Sequence, residues 1–306
     1  METRVIVIAG PTCSGKTKLA INLAAKLKSE IISADSRQVY KYLNIGTAKP
    51  TIEQRAEIKH HLVDILYPDE VFNASKFSNE AKEIISNLHR NESVPIIAGG
   101  SGLYIKALID GILDEIKTDE NYRSELLDLR KKFGNSILFE KLRKVDPIST
   151  TKMLPQNWKR VVRALEVYHV TGKTISHFYK NQIKQSSFDF RQYGIEWERS
   201  LLYENINNRV DWMLDNGFID EVKSLLAMGY NKNLNSLNSV GYKEIIAYLE
   251  GEISLDKAVY LIKRNTRRYA KRQITWFRAD NRIHWLITKN DGDLEDHAKT
   301  ILQSIN

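Results

Sequence analysis

Short, continuous apolar runs alternate with stretches of helical periodicity over the first third of the chain. Val5-Ile6-Val7-Ile8-Ala9 is apolar at every position, which predicts a strand buried on both faces. After a glycine-bearing loop, Leu19, Ala20, Leu23, Ala24 and Leu27 recur at helical spacing. Glu30 to Asp35 reads as a second strand. Phe77, Ala81, Ile84, Ile85 and Leu88 predict a helix over 75–90, and Val94 to Ala98 a further buried strand. That strand runs into Gly99-Gly100-Ser101-Gly102 and then a helix through Leu108. After Gly111 the pattern changes. From 114 to 190 there are long charged helical stretches and no convincing central strand. Tyr193-Gly194-Ile195-Glu196-Trp197 brings the strand pattern back. Leu201 to Met228 reads as one helix stopped by Gly229, Ser239 to Glu244 opens another, and 256–280 a long third. Ile283 to Thr288 is a last strand before a helical tail. The expected architecture is α/β, a parallel sheet core formed by 1–113 and 191–306. A helical insertion domain, 114–190, interrupts it, and additional C-terminal helices complete it.

The loop after the first strand is Gly10-Pro11-Thr12-Cys13-Ser14-Gly15-Lys16-Thr17. A strand, a glycine loop ending in Gly-Lys-Thr and a helix, in that order, form the setting of a phosphate-binding P-loop, which makes the core P-loop NTPase-like. The glycines let successive N–H groups converge, and the helix N-terminus adds unpaired donors and a positive dipole end. Lys16 supplies a full charge, and the Thr17 hydroxyl suits Mg²⁺. A di- or triphosphate is expected here; the loop alone does not say whose. The second strand ends at Asp35-Ser36-Arg37-Gln38, on the edge where open parallel sheets bind ligands. Asp35 serves either the site or a turn. No second aspartate follows an apolar strand, which weakens an ATPase reading. Lys49, in Ile45-Gly46-Thr47-Ala48-Lys49-Pro50, either reaches a phosphate or sits in solvent. His60 and His61 are adjacent and so diverge, making packing or hydrogen bonding a better reading than zinc.

Composition narrows the partners. The formal net charge is +8, and it is concentrated. Between Asp256 and Asp280 eight basic residues stand against two aspartates, a net +6. Lys263, Arg267 and Lys271, and in parallel Arg264, Arg268 and Arg272, form two adjacent rows on a helix, with Tyr260, Tyr269, Trp276 and Phe277 between them. Charge of one sign interleaved with aromatics is the footprint of a nucleic-acid surface. Asn157, Arg160 and Arg163 form a second stripe beside Trp158, readable as an RNA face or as a solvated one. No apolar run approaches the roughly 18 residues of a membrane span. The first run leads directly into the loop, so a cleaved leader is not expected. Cys13 is the only cysteine, which excludes an internal disulfide and suits a reducing, cytoplasmic location.

Taken together, G-P-T-C-S-G-K-T, D-S-R-Q-V-Y, I-G-T-A-K-P, H-H-L, G-G-S-G-L-Y, Q-N-W-K-R…R-A-L-E-V, G-Y-K-E and Y-A-K-R-Q…T-W-F-R resemble the motifs of bacterial tRNA dimethylallyltransferases, also called tRNA isopentenyltransferases. They occur in the family's order over nearly the whole chain. Arg37 and Ser101 depart from residues common in that family, and no carboxy-terminal zinc finger of the eukaryotic kind is present. The resemblance implies transfer of a dimethylallyl group from dimethylallyl diphosphate to N6 of adenosine 37, beside the tRNA anticodon, with Mg²⁺ assisting. It implies that Gly10, Pro11, Thr12, Cys13, Ser14, Gly15, Lys16 and Thr17 hold the diphosphate. Thr17 would ligate the metal, Asp35 would accept the amine proton, and Arg209 would contact the diphosphate. It further implies tRNA contacts from Asp35, Ser36, Arg37, Gln38, Ser101, Arg123, Gln156, Asn157, Trp158, Lys159 and Arg160. The insertion would close over the anticodon stem-loop, and the 263–272 stripe would hold phosphates or partly support the core. A monomer is expected. The competing classes are a kinase using the loop for ATP, an enzyme prenylating free adenine nucleotides, and an RNA-binding nucleotide switch.

Overall fold

The structure is a computed structural model that describes residues 3–113, 116–117, 119–181 and 187–305. Strand β1 (Arg4–Ala9) leads through the glycine loop into α1 (Lys16–Leu27). Strand β2 (Ile31–Ser33) is shorter than the expected 30–35. Helix α2 (Ile52–Glu57) opens on a Thr51/Gln54 capping box and is followed by β3 (His60–His61). Helix α3 (Ala74–Arg90) is capped by Asn73, whose side chain accepts from the amides of Ser75 and Lys76. Then come β4 (Ile96–Gly99) and α4 (Gly102–Asp110).

The chain divides into two compact units, Met1–Asp110 with Ser186–Asn306, and Gly111–Gln185. The expected boundary residue 114 lies outside the described residues. The second unit holds α5 (Glu120–Phe133), α6 (Asn135–Val145), the short α7 (Pro147–Thr150), a 3₁₀ turn at Pro155–Asn157, α8 (Trp158–Thr171) and α9 (Ile175–Asn181). Leu126, Leu138, Leu142, Val161, Val162 and Leu165 form its buried core.

The first unit resumes with β5 (Asp189–Trp197), α10 (Arg199–Asp215), α11 (Phe218–Ala227), α12 (Tyr242–Leu249), α13 (Leu255–Arg278), β6 (His284–Thr288) and α14 (Asp293–Ile305). The single helix expected over 201–228 is two. Asn216 ends the first, and Gly217, at φ 90°, turns the chain into the second. Apolar residues continue every four positions across the break (Val210, Leu214, Phe218, Val222), so hydrophobic spacing alone conceals it.

The sheet is wholly parallel, in the order β3-β2-β4-β1-β5-β6. Strand β1 is central, and its alternate residues feed two cores. Val5 and Val7 pack in a cluster with Phe77, Ile85 and Phe218. Ile6 and Ile8 pack in another with Leu19, Leu23 and Leu202. A sheet covered on both faces explains the unbroken apolar run of β1. It also brings the carboxyl ends of β1, β2, β4 and β5 to one edge.

Candidate active site

The loop after β1 is braced from several sides. Gly15 takes a left-handed conformation at φ 85°, and a Cβ there would strike Leu294 of α14. The Ser14 hydroxyl donates to the Pro11 carbonyl at 2.9 Å, and the indole N–H of Trp197 donates to the Ser14 carbonyl at 3.1 Å. The Thr12 N–H donates to Gln273 Oε1 at 2.9 Å. That amide is therefore engaged inside the protein. The Lys16 ammonium donates to the Pro11 carbonyl. Burial pushes its pKa down to about 8, with Asp35 opposing the shift. Burial raises the Cys13 thiol, so it is a packed side chain and not an activated nucleophile.

Asp35 follows β2. Its Oδ1 accepts from the amides of Arg37 at 2.8 Å and Gln38 at 3.3 Å, so one carboxylate oxygen orients the turn. The Ser36 N–H donates to Ser101 Oγ at 3.0 Å, and the Ser101 N–H to the Ala34 carbonyl at 3.1 Å. Ser101 thus staples the Asp35 turn to the loop after β4. A Cβ on Gly99 would fall onto the Ala34 backbone, so this staple requires glycine. Gln38 accepts from Ser33 Oγ at 2.9 Å and donates to the Ala48 carbonyl at 3.1 Å.

Arg209 projects from α10 and lies over the Trp212 ring, 4.2 Å from its centroid. Burial lowers its pKa, and its buried Nε has no hydrogen-bond partner among the described residues. Lys16, Thr17, Asp35, Arg37, Arg209 and Gln273 line one cavity of about 850 Å³ with Tyr269 and Arg272, whereas Ser101 stands behind its wall. The cavity lies wholly within the first unit.

Other candidates fall elsewhere. Lys49 is buried, donates to the Tyr40 carbonyl at 2.7 Å and pairs with Asp64, so it neither reaches a phosphate nor sits in solvent. His60 Nδ1 contacts the Ile58 carbonyl at 2.7 Å, and His61 pairs with Glu30. In the second unit Arg123 holds buried Glu166 at 2.9 Å. Asn157 is not on the helical face: its side chain accepts from the Leu154 N–H at 2.9 Å. Arg163 donates to the Ile116 carbonyl at 2.9 Å. Of the expected stripe, Arg160 is left exposed, with Gln156 and Lys159 exposed beside it. The Trp158 ring carries Arg130, 3.8 Å from its centroid. The basic residues of α13 divide within the two rows, not between them. Lys263 pairs with Asp211 and Arg267 donates to Asn207, both fastening α13 to α10, whereas Arg268 and Lys271 are exposed.

Gln273 and Trp197 were not singled out from the sequence as site residues, and Tyr269 and Arg272 were marked only as part of the basic stripe, not as lining of the cavity. One signal for Gln273 was available. It shares the buried helical phase of Ala270 and Phe277, where a polar residue calls for a specific partner.

A wholly parallel α/β sheet with a braced glycine loop at its carboxyl edge is a P-loop-like fold. Residues 38–280 match the family described as IPP transferase. The chain is 43% identical to the tRNA dimethylallyltransferase of Caldanaerobacter subterraneus, covering 99% of this chain and 98% of that one. It is similar to the structure of the tRNA isopentenylpyrophosphate transferase of Staphylococcus epidermidis, at 40% identity, full coverage of both chains and a TM-score of 0.73. A eukaryotic dimethylallyltransferase acting on tRNA matches with a TM-score of 0.84 at 29% identity, over 99% of this chain and 79% of that one. The chain belongs to the IPP transferase family.

Proposed function

We propose that this enzyme transfers a dimethylallyl group from dimethylallyl diphosphate to the N6 amine of adenosine 37 in the anticodon loop of tRNA. The carrying observation is the placement of two cations without carboxylate salt bridges, Lys16 and Arg209, at one cavity with Asp35. A half-buried cation without an ion-pair partner favours an anionic ligand. The loop amides other than Thr12's, the α1 N-terminus, Lys16 and Arg209 would bind the diphosphate and stabilise its charge as the C–O bond breaks. The adenine amine forms the new C–N bond and its proton passes to Asp35, where Oδ2 is the oxygen not engaged by the turn amides. An exocyclic amine is scarcely acidic, so proton loss accompanies attack.

Among the described residues no group of three or more His, Cys, Asp or Glu side chains is placed to hold a metal. Mg²⁺ suits such a site, because it is commonly held by substrate phosphates and few protein oxygens. The Thr17 hydroxyl, which lines the cavity, would ligate it. When bound, the ion would offset the charge of the leaving diphosphate.

Each unit carries exposed groups suited to RNA phosphates and bases: Gln156, Lys159 and Arg160 in one, Arg268 and Lys271 in the other. Arg37 lines the cavity and would meet an extruded base. A tRNA substrate and the lone cysteine favour a cytoplasmic enzyme. No helix among the described residues is long and apolar enough to cross a membrane. The enzyme would act as a monomer, which size-exclusion chromatography tests.

Mass analysis of nucleosides decides the reaction, after incubation of an anticodon stem-loop with labelled dimethylallyl diphosphate. The expected product is N6-isopentenyladenosine at position 37. Phosphate transfer from ATP with no prenylated nucleoside overturns the proposal, as does equal prenylation of free AMP.

A further inference from the structure

We propose that Gln273 is a positioning residue that sets the spacing between the diphosphate loop and Asp35. The inference rests on the reading of Asp35 as the proton acceptor. Gln273 is buried on α13, and both ends of its amide are used. Oε1 accepts from the Thr12 N–H at 2.9 Å, and Nε2 donates to the Gly100 carbonyl at 2.9 Å. One rigid, planar group therefore bridges the loop after β1 and the loop after β4. The position of Gly100 agrees: a Cβ there would run into Gln273 Nε2.

From Gly100 the connection continues to the acid. Its neighbour Ser101 bonds the residue on each side of Asp35, through its amide to the Ala34 carbonyl and through its hydroxyl to the Ser36 N–H. The path from Thr12 to Asp35 thus runs through direct hydrogen bonds of Gln273, Gly100 and Ser101. Bond breaking at the diphosphate and proton removal at Asp35 occur at opposite ends of this path. Their separation must match one dimethylallyl carbon and one amine nitrogen. A misplacement of about 1 Å in such an arrangement costs roughly 10²-fold in rate. Gln273 touches neither reacting group and acts through the loops.

The test compares Gln273→Ala, Gln273→Glu, Gly100→Ala and the Gln273→Ala/Gly100→Ala double variant, with Asp35→Ala alongside. Turnover, both KM values and Tm are measured on the full chain. Gln273→Ala is expected to lower kcat about 10²-fold, with both KM values within about threefold of wild type. Gln273→Glu keeps an acceptor for Thr12 but sets a buried carboxylate against the Gly100 carbonyl and beside the diphosphate loop, so its kcat falls at least as far as that of Gln273→Ala. Gly100→Ala lowers kcat alone but adds no further loss in the double variant, because the side chain it displaces is already gone. A merely structural glutamine would lower Tm and leave kcat per folded molecule unchanged, and that result overturns the proposal. Independent, multiplicative effects at 100 and 273 also overturn it. If Gln273→Ala does not fold, Gly100→Ala and Gln273→Glu carry the kcat-against-KM test. Full turnover by Asp35→Ala refutes the proton-acceptor reading and the spacing with it. An inactive Asp35→Ala with no coupling between 100 and 273 refutes the clamp alone.

Discussion

Replacing Lys16 by methionine removes an ammonium from inside the glycine loop while keeping a side chain of similar length. Burial holds this lysine at a pKa of about 8, against the ordinary 10.5. At about 1.4 kcal/mol per pKa unit, the charged form destabilises the ligand-free protein by roughly 3 kcal/mol at pH 7. The variant also loses the bond to the Pro11 carbonyl, but that oxygen still accepts from the Ser14 hydroxyl. A net gain of about 2 kcal/mol follows, and for a unit of this size it raises Tm by about 4–8 °C. The sign against pH is determined by the downward shift. Below the folded-state value both folded and unfolded lysines are charged and the penalty is complete. Between about 8 and 10.5 the unfolded chain binds more protons, so wild-type stability rises with pH and the gap to the variant closes. Thermal melts of both proteins at pH 7, 9 and 10.5 measure this. The same melts with pyrophosphate should stabilise the wild type and leave the variant unmoved. An unchanged or lower Tm for Lys16→Met at pH 7, or a gap that does not narrow with pH, refutes the reasoning.

Asp35→Asn keeps an oxygen for the Arg37 and Gln38 amides, so Tm should hold while kcat falls about 10²–10⁴-fold. Turnover within a few-fold of wild type would exclude Asp35 as the proton acceptor. Glu221 accepts from the amides of Asn44, Ile45 and Gly46 and from the Tyr242 hydroxyl at 2.6 Å, pinning the loop that leads to Thr47 and Ala48 in the cavity wall. Glu221→Ala should cost about 3 kcal/mol in urea unfolding, much of it from orphaned amides, and Glu221→Gln clearly less. Arg123→Ala leaves buried Glu166 with only the more distant Arg163 and should weaken the helical unit by about 2–3 kcal/mol. Burial already raises the Glu166 carboxyl, so the loss should shrink as pH falls and Glu166 takes up a proton; hydrogen exchange of the α8 amides reports both effects.

The parts legible in the sequence are those whose partners lie close along the chain. The β1 run, the glycine loop and the first residues of α1 are contiguous, and backbone geometry brings their donors together without help from distant segments. Helical spacing also placed α3 and α13, because a 3.6-residue period depends only on local winding. Hydrophobic spacing failed at Gly217, where the apolar phase crosses a real break. It also could not show that Lys49 is buried, since Asp64 comes within reach only through the turns that follow β2.

Sequence alone thus established a parallel α/β core, a phosphate loop at its edge and a concentration of positive charge near the C-terminus. Tertiary structure decided which of those groups are available to a ligand. It committed the Thr12 amide to a glutamine 261 residues away and tied Ser101 to the Asp35 turn. It also assigned Lys263 and Arg267 to helix packing and left Arg209 without a salt bridge beside the loop. The reason is physical. A donor or cation is free for chemistry only when no nearer internal partner claims it, and packing sets those partners across the whole length of the chain.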